Sequence, residues 1–505
     1  MKKRKTLLAI IVGTLLFISV LAFLSALWYK NLYGDVGFSA IIFTLTAENG
    51  GAVEKNLLLS FFLRGLLPSI ILTVLFMLFL WGNPKKGLQI KSIKKNKTYQ
   101  ITPFSTKVSL ITSVCLILVL TIIASDIVSL PQYIASSLEK TTIYEKEYRD
   151  PESVKITFPE EKRNLIIIYL ESMETSFFSQ AQGGALPYNV IPELYDLAKK
   201  NINFSHNQDI GGWPVVTNTT WTVASLVSQT SGVPLTIPVK RNTYGKKSAF
   251  LPGITNMQDV LKKNGYYQTV MFGSEGNYAG RDQYYYQHGA DFVYDWDTAQ
   301  KDGIIEKGYQ VWWGMEDEYL YKYAKQELLE ISKNDQPFAF SMLTVDTHHV
   351  GGYKCSLCTT QYEEQYENVY SCASKQLYSF ICWLEMQDFY DDTTIIICGD
   401  HASMDAAYFE RNVDRDYSRH MYNCIINSVV ETKNTKDREF TPMDMFPTVL
   451  AAIGCEIEGN RLGLGTNLFS DRPTLAEEYT IDFLNDELGK SSSYYTNNFV
   501  KYKHK

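Results

Sequence analysis

Two apolar runs in this chain each end on residue types that bind metals. Ile166-Ile167-Ile168-Tyr169-Leu170 runs into Glu171, and Ile395-Ile396-Ile397-Cys398 runs through Gly399 into Asp400 and His401. Short continuous apolar runs are the pattern of strands buried on both faces of a parallel sheet. In open α/β sheets the chemistry gathers at the carboxyl ends of such strands. The two runs therefore predict one sheet edge carrying a carboxylate beside an Asp-His pair. Oxygen donors with one imidazole suit Mn²⁺ or Mg²⁺, and Zn²⁺ with less selectivity. Gly-Asp-His on its own is as often a turn cap.

A second element supplies a nucleophile. Gly211-Gly212-Trp213-Pro214 and Thr217-Asn218-Thr219-Thr220-Trp221-Thr222 lead into the helical Val223-Ala224-Ser225-Leu226-Val227. Polar, turn-prone residues feeding a helix leave free N–H groups that, with the helix dipole, favour an anion. A threonine there, its alkoxide stabilised by a metal, can attack phosphorus. Taken singly, each of these threonines reads as an N-cap.

These residues need a frame to meet. From Asn164 onward strand patterns alternate with helical ones. Strands are expected at 165–170, 267–272, 338–345, 393–398 and 421–430. Helices are expected at 191–200, 224–229, 256–264, 319–332, 377–389 and 443–453. That alternation predicts an α/β domain over 164–505, with a mostly parallel sheet between helices. Residues 131–163 are charged and read as a linker with one helical piece over 133–148. The polar stretch after about 471 reads as a late surface element or as partly loose.

The first 130 residues are of another kind. Apolar runs at about 7–29, 57–81 and 108–130 are each long enough to cross a bilayer, which takes about 20 residues. The first is too long for a cleavable signal, and two more spans follow it. Met1-Lys2-Lys3-Arg4-Lys5 is basic, as is the loop carrying Lys85, Lys86, Lys91, Lys94, Lys95, Lys97 and Lys107. The loop with Asp35, Glu48 and Glu54 is mixed. The positive-inside rule then puts the N-terminus in the cytoplasm. The expected location is the inner or cytoplasmic membrane, with everything after the third span periplasmic or extracellular. A net charge of −7 on 505 residues gives no reason to expect a nucleic-acid partner. Outside the cytoplasm disulfides persist, so one bridge is expected from Cys372 to Cys355 or Cys358. A Cys-x-x-Cys metal or redox site is the rival, but no second Cys-x-x-Cys completes four ligands.

Asn164 to Ser172, Thr222 within Trp221-Thr222-Val223-Ala224, and Gly399-Asp400-His401 together resemble the alkaline phosphatase/sulfatase superfamily. Asp346-Thr347-His348-His349, Arg281-Asp282, Asp444 to Ala451 and Arg461 to Leu468 make the chain similar to its membrane-anchored branch. That branch holds the lipoteichoic acid synthases and the phosphoglycerol transferases of glucan synthesis. The resemblance covers about 164–470. It implies Glu171, Thr222, Asp400 and His401 as ligands of one divalent metal, Mn²⁺ first, with Mg²⁺ or Zn²⁺ as alternatives. It implies Thr222 as nucleophile, Arg281 as a phosphate-binding fork, and His348 as catalytic and substrate-binding; His349 could equally take that role.

The activity so implied is transfer of phosphoglycerol from phosphatidylglycerol to a glycan or glycerol-phosphate polymer through a glycerophosphoryl-threonine, with diacylglycerol released. Three spans in place of five weaken the polymerase reading, and Val350 stands where the branch has proline. A phosphoethanolamine transferase, or a silent lipid- or glycan-binding pseudoenzyme, is the alternative. A sulfatase proper needs a Cys/Ser-x-Pro-x-Arg motif, which is missing.

Overall fold

The computed structural model describes residues 2–34, 38, 41–42, 55–81, 88–92, 97–101, 104–237 and 249–501. The loop residues Asp35, Glu48, Glu54, Lys85, Lys86, Lys94 and Lys95, on which the orientation rests, lie outside the described residues. The chain divides into two compact units, residues 1–38 with 52–134, and residues 39–51 with 135–505.

The first unit is built on helices α1 (Lys2–Tyr33), α2 (Leu67–Trp81) and α3 (Thr106–Ile127). Three stretches, Lys5–Tyr33, Leu58–Trp81 and Thr106–Ile127, are long and apolar enough to cross a membrane. Ile10, Leu78 and Ile122 point outward, while Ser69, Ser109 and Ser113 are buried. Lipid tails leave apolar side chains no reason to turn inward, so small polar residues that allow close approach take the helix contacts. Trp81 Nε1 donates to Ser113 Oγ at 3.2 Å, and Trp28 Nε1 to Ser60 Oγ at 3.1 Å.

The second unit is an α/β domain built on one six-stranded, mostly parallel sheet. Its strands are β1 (Asn164–Leu170), β2 (Tyr267–Phe272), β3 (Phe292–Tyr294), β4 (Phe338–Leu343), β5 (Thr393–Gly399) and β6 (Asn423–Ile426). They lie in the order β3-β2-β4-β1-β5-β6. All pairs are parallel except β5 with β6. Four further helices matter to the site: α4 (Thr222–Ser231), α5 (Asp317–Ile331), α6 (Gln365–Leu384) and α7 (Met445–Ala452). The core joins Ile166, Ile168, Ile395 and Ile397 of the sheet to Leu320 and Leu328 of α5 and to Tyr370 and Leu377 of α6.

Several elements differ from the sequence reading. The helix expected at 377–389 begins at Gln365 and ends at Leu384. Tyr366, Tyr370, Ala373, Leu377, Phe380, Ile381 and Leu384 form its buried stripe, which intervening Asn, Ser and Cys residues disguise. Strand β3 is three residues long, too short for a period to register. The stretch read as a linker is folded against the domain. Ile156–Thr157 pairs antiparallel with Glu456–Ile457, and Tyr144 packs its ring 5.5 Å from Tyr495 and 5.9 Å from Phe499. The tail, read as a late surface element or as partly loose, forms helices at Leu475–Tyr479 and Ile481–Gly489, and Leu484, Leu488, Tyr495 and Phe499 are buried. A few spaced apolar residues in a polar segment suffice to dock it.

Candidate active site

Sheet register does most of the assembly. Leu170 of β1 pairs with Gly399 of β5, so Glu171 and Asp400 leave the same edge side by side. Gly399 must be glycine, because a Cβ there would lie 1.9 Å from the Met173 carbonyl oxygen. Helix α4 is docked onto this edge by its own polar face. Ser225 Oγ donates to the Asp400 carbonyl. Gln229 Nε2 donates to the Gly399 carbonyl at 3.3 Å. The far end of α4 is tied down where Leu464 N donates to Gly232 O at 2.7 Å. The first residue of that helix is Thr222.

The four groups converge. Thr222 Oγ1 lies 3.5 Å from Glu171 Oε2 and 3.3 Å from His401 Nε2. His401 Nε2 lies 3.5 Å from Glu171 Oε1 and 3.4 Å from Asp400 Oδ2. The His401 Nδ1 proton goes to the Ala402 carbonyl at 2.9 Å, which leaves the Nε2 lone pair facing the two carboxylates. Asp400 Oδ1 accepts from the backbone N–H groups of Ser172 and His401, each at 2.7 Å. Asp400 Oδ2 is buried with no hydrogen-bond donor among the described residues.

Burial and the neighbouring Glu171 push the Asp400 carboxyl well above the usual range. A buried, undonated carboxylate oxygen, a second carboxylate and an imidazole lone pair, all within 4.8 Å of one another, suit a divalent cation in ligand type and spacing.

Arg281 and His348 flank this group. The Arg281 guanidinium lies 4.4 Å over the Phe272 ring, and its Nη2 donates to Ser274 Oγ and the Glu275 carbonyl at 2.8 and 2.7 Å. Its buried Nε–H has no acceptor among the described residues. Burial lowers its pKa, and nearby Tyr278 and Glu171 act against that. His348 is half-buried, its ring 4.8 Å from that of Trp313. Its Nδ1 proton goes to the His349 carbonyl at 2.8 Å, which leaves Nε2 as the acceptor. Burial holds His348 below the ordinary histidine value, with Glu171 opposing. His349 stacks behind it at 4.4 Å and is buried, with a still lower pKa for the same reason.

Sequence reasoning passed over the residues that hold these in place. Thr344 Oγ1 accepts from Glu171 N at 2.9 Å, Thr347 Oγ1 donates to Glu171 O at 2.5 Å, and Tyr370 donates to Ser172 O at 2.6 Å. Glu174, fully buried, takes Arg419 Nε at 2.7 Å and Ser403 N at 3.0 Å, pinning the turn after His401. The tail motif is also structural: Asp444 accepts from Thr466 N and Thr441 N, each at 2.7 Å, and burial pushes its carboxyl up to about 6.

The three cysteines do not join this site; their sulfurs gather among themselves. Cys355 Sγ lies 3.6 Å from Cys358 Sγ and 3.7 Å from Cys372 Sγ, against about 2.05 Å for a disulfide bond.

A family model described as Sulfatase matches residues 163–455. Phosphoglycerol transferase I of Escherichia coli is 29% identical over 329 residues, which are 64% of this chain and 41% of that protein. Phosphoglycerol transferase I of Shigella boydii matches to the same extent. The chain thus spans about 41% of the length of these relatives. Among solved structures, the lipoteichoic acid synthase LtaP of Listeria monocytogenes is 20% identical and aligns over 63% of this chain and 79% of its own, with a TM-score of 0.48. A protein in the alkaline phosphatase superfamily from Vibrio parahaemolyticus is 24% identical over 69% of this chain and 79% of its own, with a TM-score of 0.48.

Proposed function

This chain belongs to the sulfatase family, and from that premise we propose that it is a membrane-anchored phosphoryl-group transferase. In this reading phosphoglycerol passes from phosphatidylglycerol to a hydroxyl of a glycan or glycerol-phosphate polymer. Residues 1–130 are the anchor, and the domain from 164 works on the outer side of the membrane, beside its lipid donor. The observation that carries the proposal is the placement of Thr222 Oγ1, at 3.5 Å from Glu171 Oε2 and 3.3 Å from His401 Nε2, on the first residue of a helix. The missing Cys/Ser-x-Pro-x-Arg motif favours phosphorus over sulfur as the reacting centre.

Glu171, Asp400, His401 and Thr222 would hold one divalent cation, Mn²⁺ first, with Mg²⁺ or Zn²⁺ as alternatives. Bound there, it supplies Lewis acidity that eases ionisation of the threonine hydroxyl and offsets charge on the phosphoryl oxygens. The Thr222 oxygen forms a bond to phosphorus while the bond from phosphorus to the diacylglycerol oxygen breaks. The threonine proton ends on diacylglycerol. The free N–H groups of α4 and the Arg281 guanidinium stabilise the charge that builds on the non-bridging oxygens. In the second half the acceptor hydroxyl displaces Thr222 in line. His348, held neutral by burial and with Nε2 as its lone-pair side, accepts the proton of that hydroxyl, and that proton then passes to the departing Thr222 oxygen, restoring both groups.

The test is incubation of the purified protein with phosphatidylglycerol labelled in the headgroup glycerol, with phosphatidylethanolamine as a parallel donor. Label should become covalently bound to wild type and not to Thr222→Ala, and should chase onto a glycan acceptor. Equal labelling of Thr222→Ala, or label from phosphatidylethanolamine alone, would overturn the assignment.

A further inference from the structure

The Cys355–Cys358–Cys372 cluster lies apart from Glu171, Asp400 and His401 and has no part in the transfer chemistry. Cys355 and Cys358 sit on the loop between His349 and α6, within a turn closed by Cys358 N donating to Cys355 O at 3.2 Å. Cys372 comes from α6 itself. Cys355 and Cys372 are buried, Cys358 is half-buried, and the three sulfurs lie within 4.8 Å of one another. We propose that these three thiols form a second metal site, a tri-thiolate that binds Zn²⁺ or a similarly thiophilic divalent cation.

Three observations support it. The first is spacing. Tetrahedral bonds of about 2.3 Å from zinc to sulfur put neighbouring sulfurs about 3.8 Å apart. Cys355 meets its two neighbours at 3.6 and 3.7 Å. The second is symmetry: those near-equal distances select no disulfide partner, and either bridge would strand the third sulfur beside it. A metal uses all three. The third is the polar setting. Gln376, one turn beyond Cys372, aims Nε2 at Cys372 Sγ at 3.5 Å and Cys355 Sγ at 3.8 Å. An N–H donated to sulfur is the outer support that ligating thiolates take.

Binding releases the thiol protons to solvent as metal–sulfur bonds form. Three protein ligands leave a fourth position, which an exogenous ligand can fill from the cavity of about 500 Å³ that Cys372, Gln376, Leu357 and Glu318 help to line. The site would act by position. It ties to α6 the loop whose start carries His348 and His349, where Tyr353 N already donates to Asp346 O at 2.7 Å.

The experiment uses the full chain in detergent, stripped of metal under reducing conditions and then loaded with Co²⁺. Thiolate ligation gives a near-ultraviolet sulfur-to-cobalt charge-transfer band. That band should appear in wild type, persist in Asp400→Asn, and be lost in Cys372→Ser and in Cys358→Ser. Zinc-loaded wild type should carry one equivalent more metal than either serine variant. The wild-type spectrum decides even if a serine variant misfolds. Absence of the band with three free thiols would overturn the proposal. So would differential alkylation that finds a disulfide within the cluster after purification without reductant.

Discussion

The two clusters of three ligand atoms found among the described residues of the catalytic unit are positioned in opposite ways. Glu171, Asp400 and His401 leave strand ends locked in register from Asn164 opposite Thr393 to Leu170 opposite Gly399. Each is also held by donors or acceptors of its own, among them Thr344 Oγ1 accepting from Glu171 N–H and the backbone N–H pair on Asp400. Cys355 and Cys358 ride on a loop, and only Cys372 belongs to regular structure. In the first cluster the backbone sets the geometry before any ligand arrives. In the second, ligand bonds would themselves set part of it. The difference teaches that a catalytic site and a loop-fastening site can share a ligand count while placing rigidity in different parts of the fold.

The largest expected effect separates the two directly. Asp400→Asn should lower turnover by about 1,000-fold or more and abolish metal at the strand-end cluster. The sulfur-to-cobalt band of the cysteine cluster should be untouched. Loss of both in this one variant would mean the clusters are not independent. Metal withdrawal comes next. Removing the cation leaves the buried carboxylates of Glu171 and Asp400 facing each other at one sheet edge. An uncompensated buried charge costs about 3 kcal/mol or more, so chelation should lower the melting temperature of wild type by several degrees. Asp400→Asn, with one charge fewer at that edge, should shift far less. An equal shift in both would place the stabilising metal elsewhere, and the cysteine cluster would be the first place to look.

What could be read from the chain follows the same division. Glu171, Asp400 and His401 were legible because an unbroken apolar run names its own end, and the parallel sheet then aligns those ends. Thr222 needed the family resemblance, since a threonine before a helix is ordinarily a cap. The clamps were out of reach. Ser225 and Gln229 look like ordinary helix residues, and only the tertiary contact of α4 with β5 gives them the Gly399 and Asp400 carbonyls. Glu174 and Arg419 are 245 residues apart, and no local pattern relates them. The pairing of the cysteines was out of reach for a related reason. An oxidising compartment argues for a bridge, but whether sulfurs meet in pairs or in threes depends on how the loop returns to α6.

A third pairing tests whether imidazoles in this fold need a carboxylate to matter. His206 and His420 stack face to face, with centroids 3.5 Å apart and planes 3° from parallel. No carboxylate is among the groups that shift them. Burial, then His206 beside it, holds His420 down to about 4, and burial with Lys436 lowers His206. Between that value and the ordinary histidine value of about 6.5, the unfolded chain binds a proton at His420 that the folded chain refuses. The stability this neutral ring contributes is therefore fully present above about pH 6.5 and is lost as pH falls toward 4. By pH 5 the loss should reach about 1 to 2 kcal/mol, a few degrees in melting temperature. His420→Asn removes the titrating ring, so its melting temperature should fall less than that of wild type between pH 7 and pH 5. Parallel pH profiles for the two proteins would show that the acid sensitivity lies in the carboxylates instead, and that the stacked pair only packs.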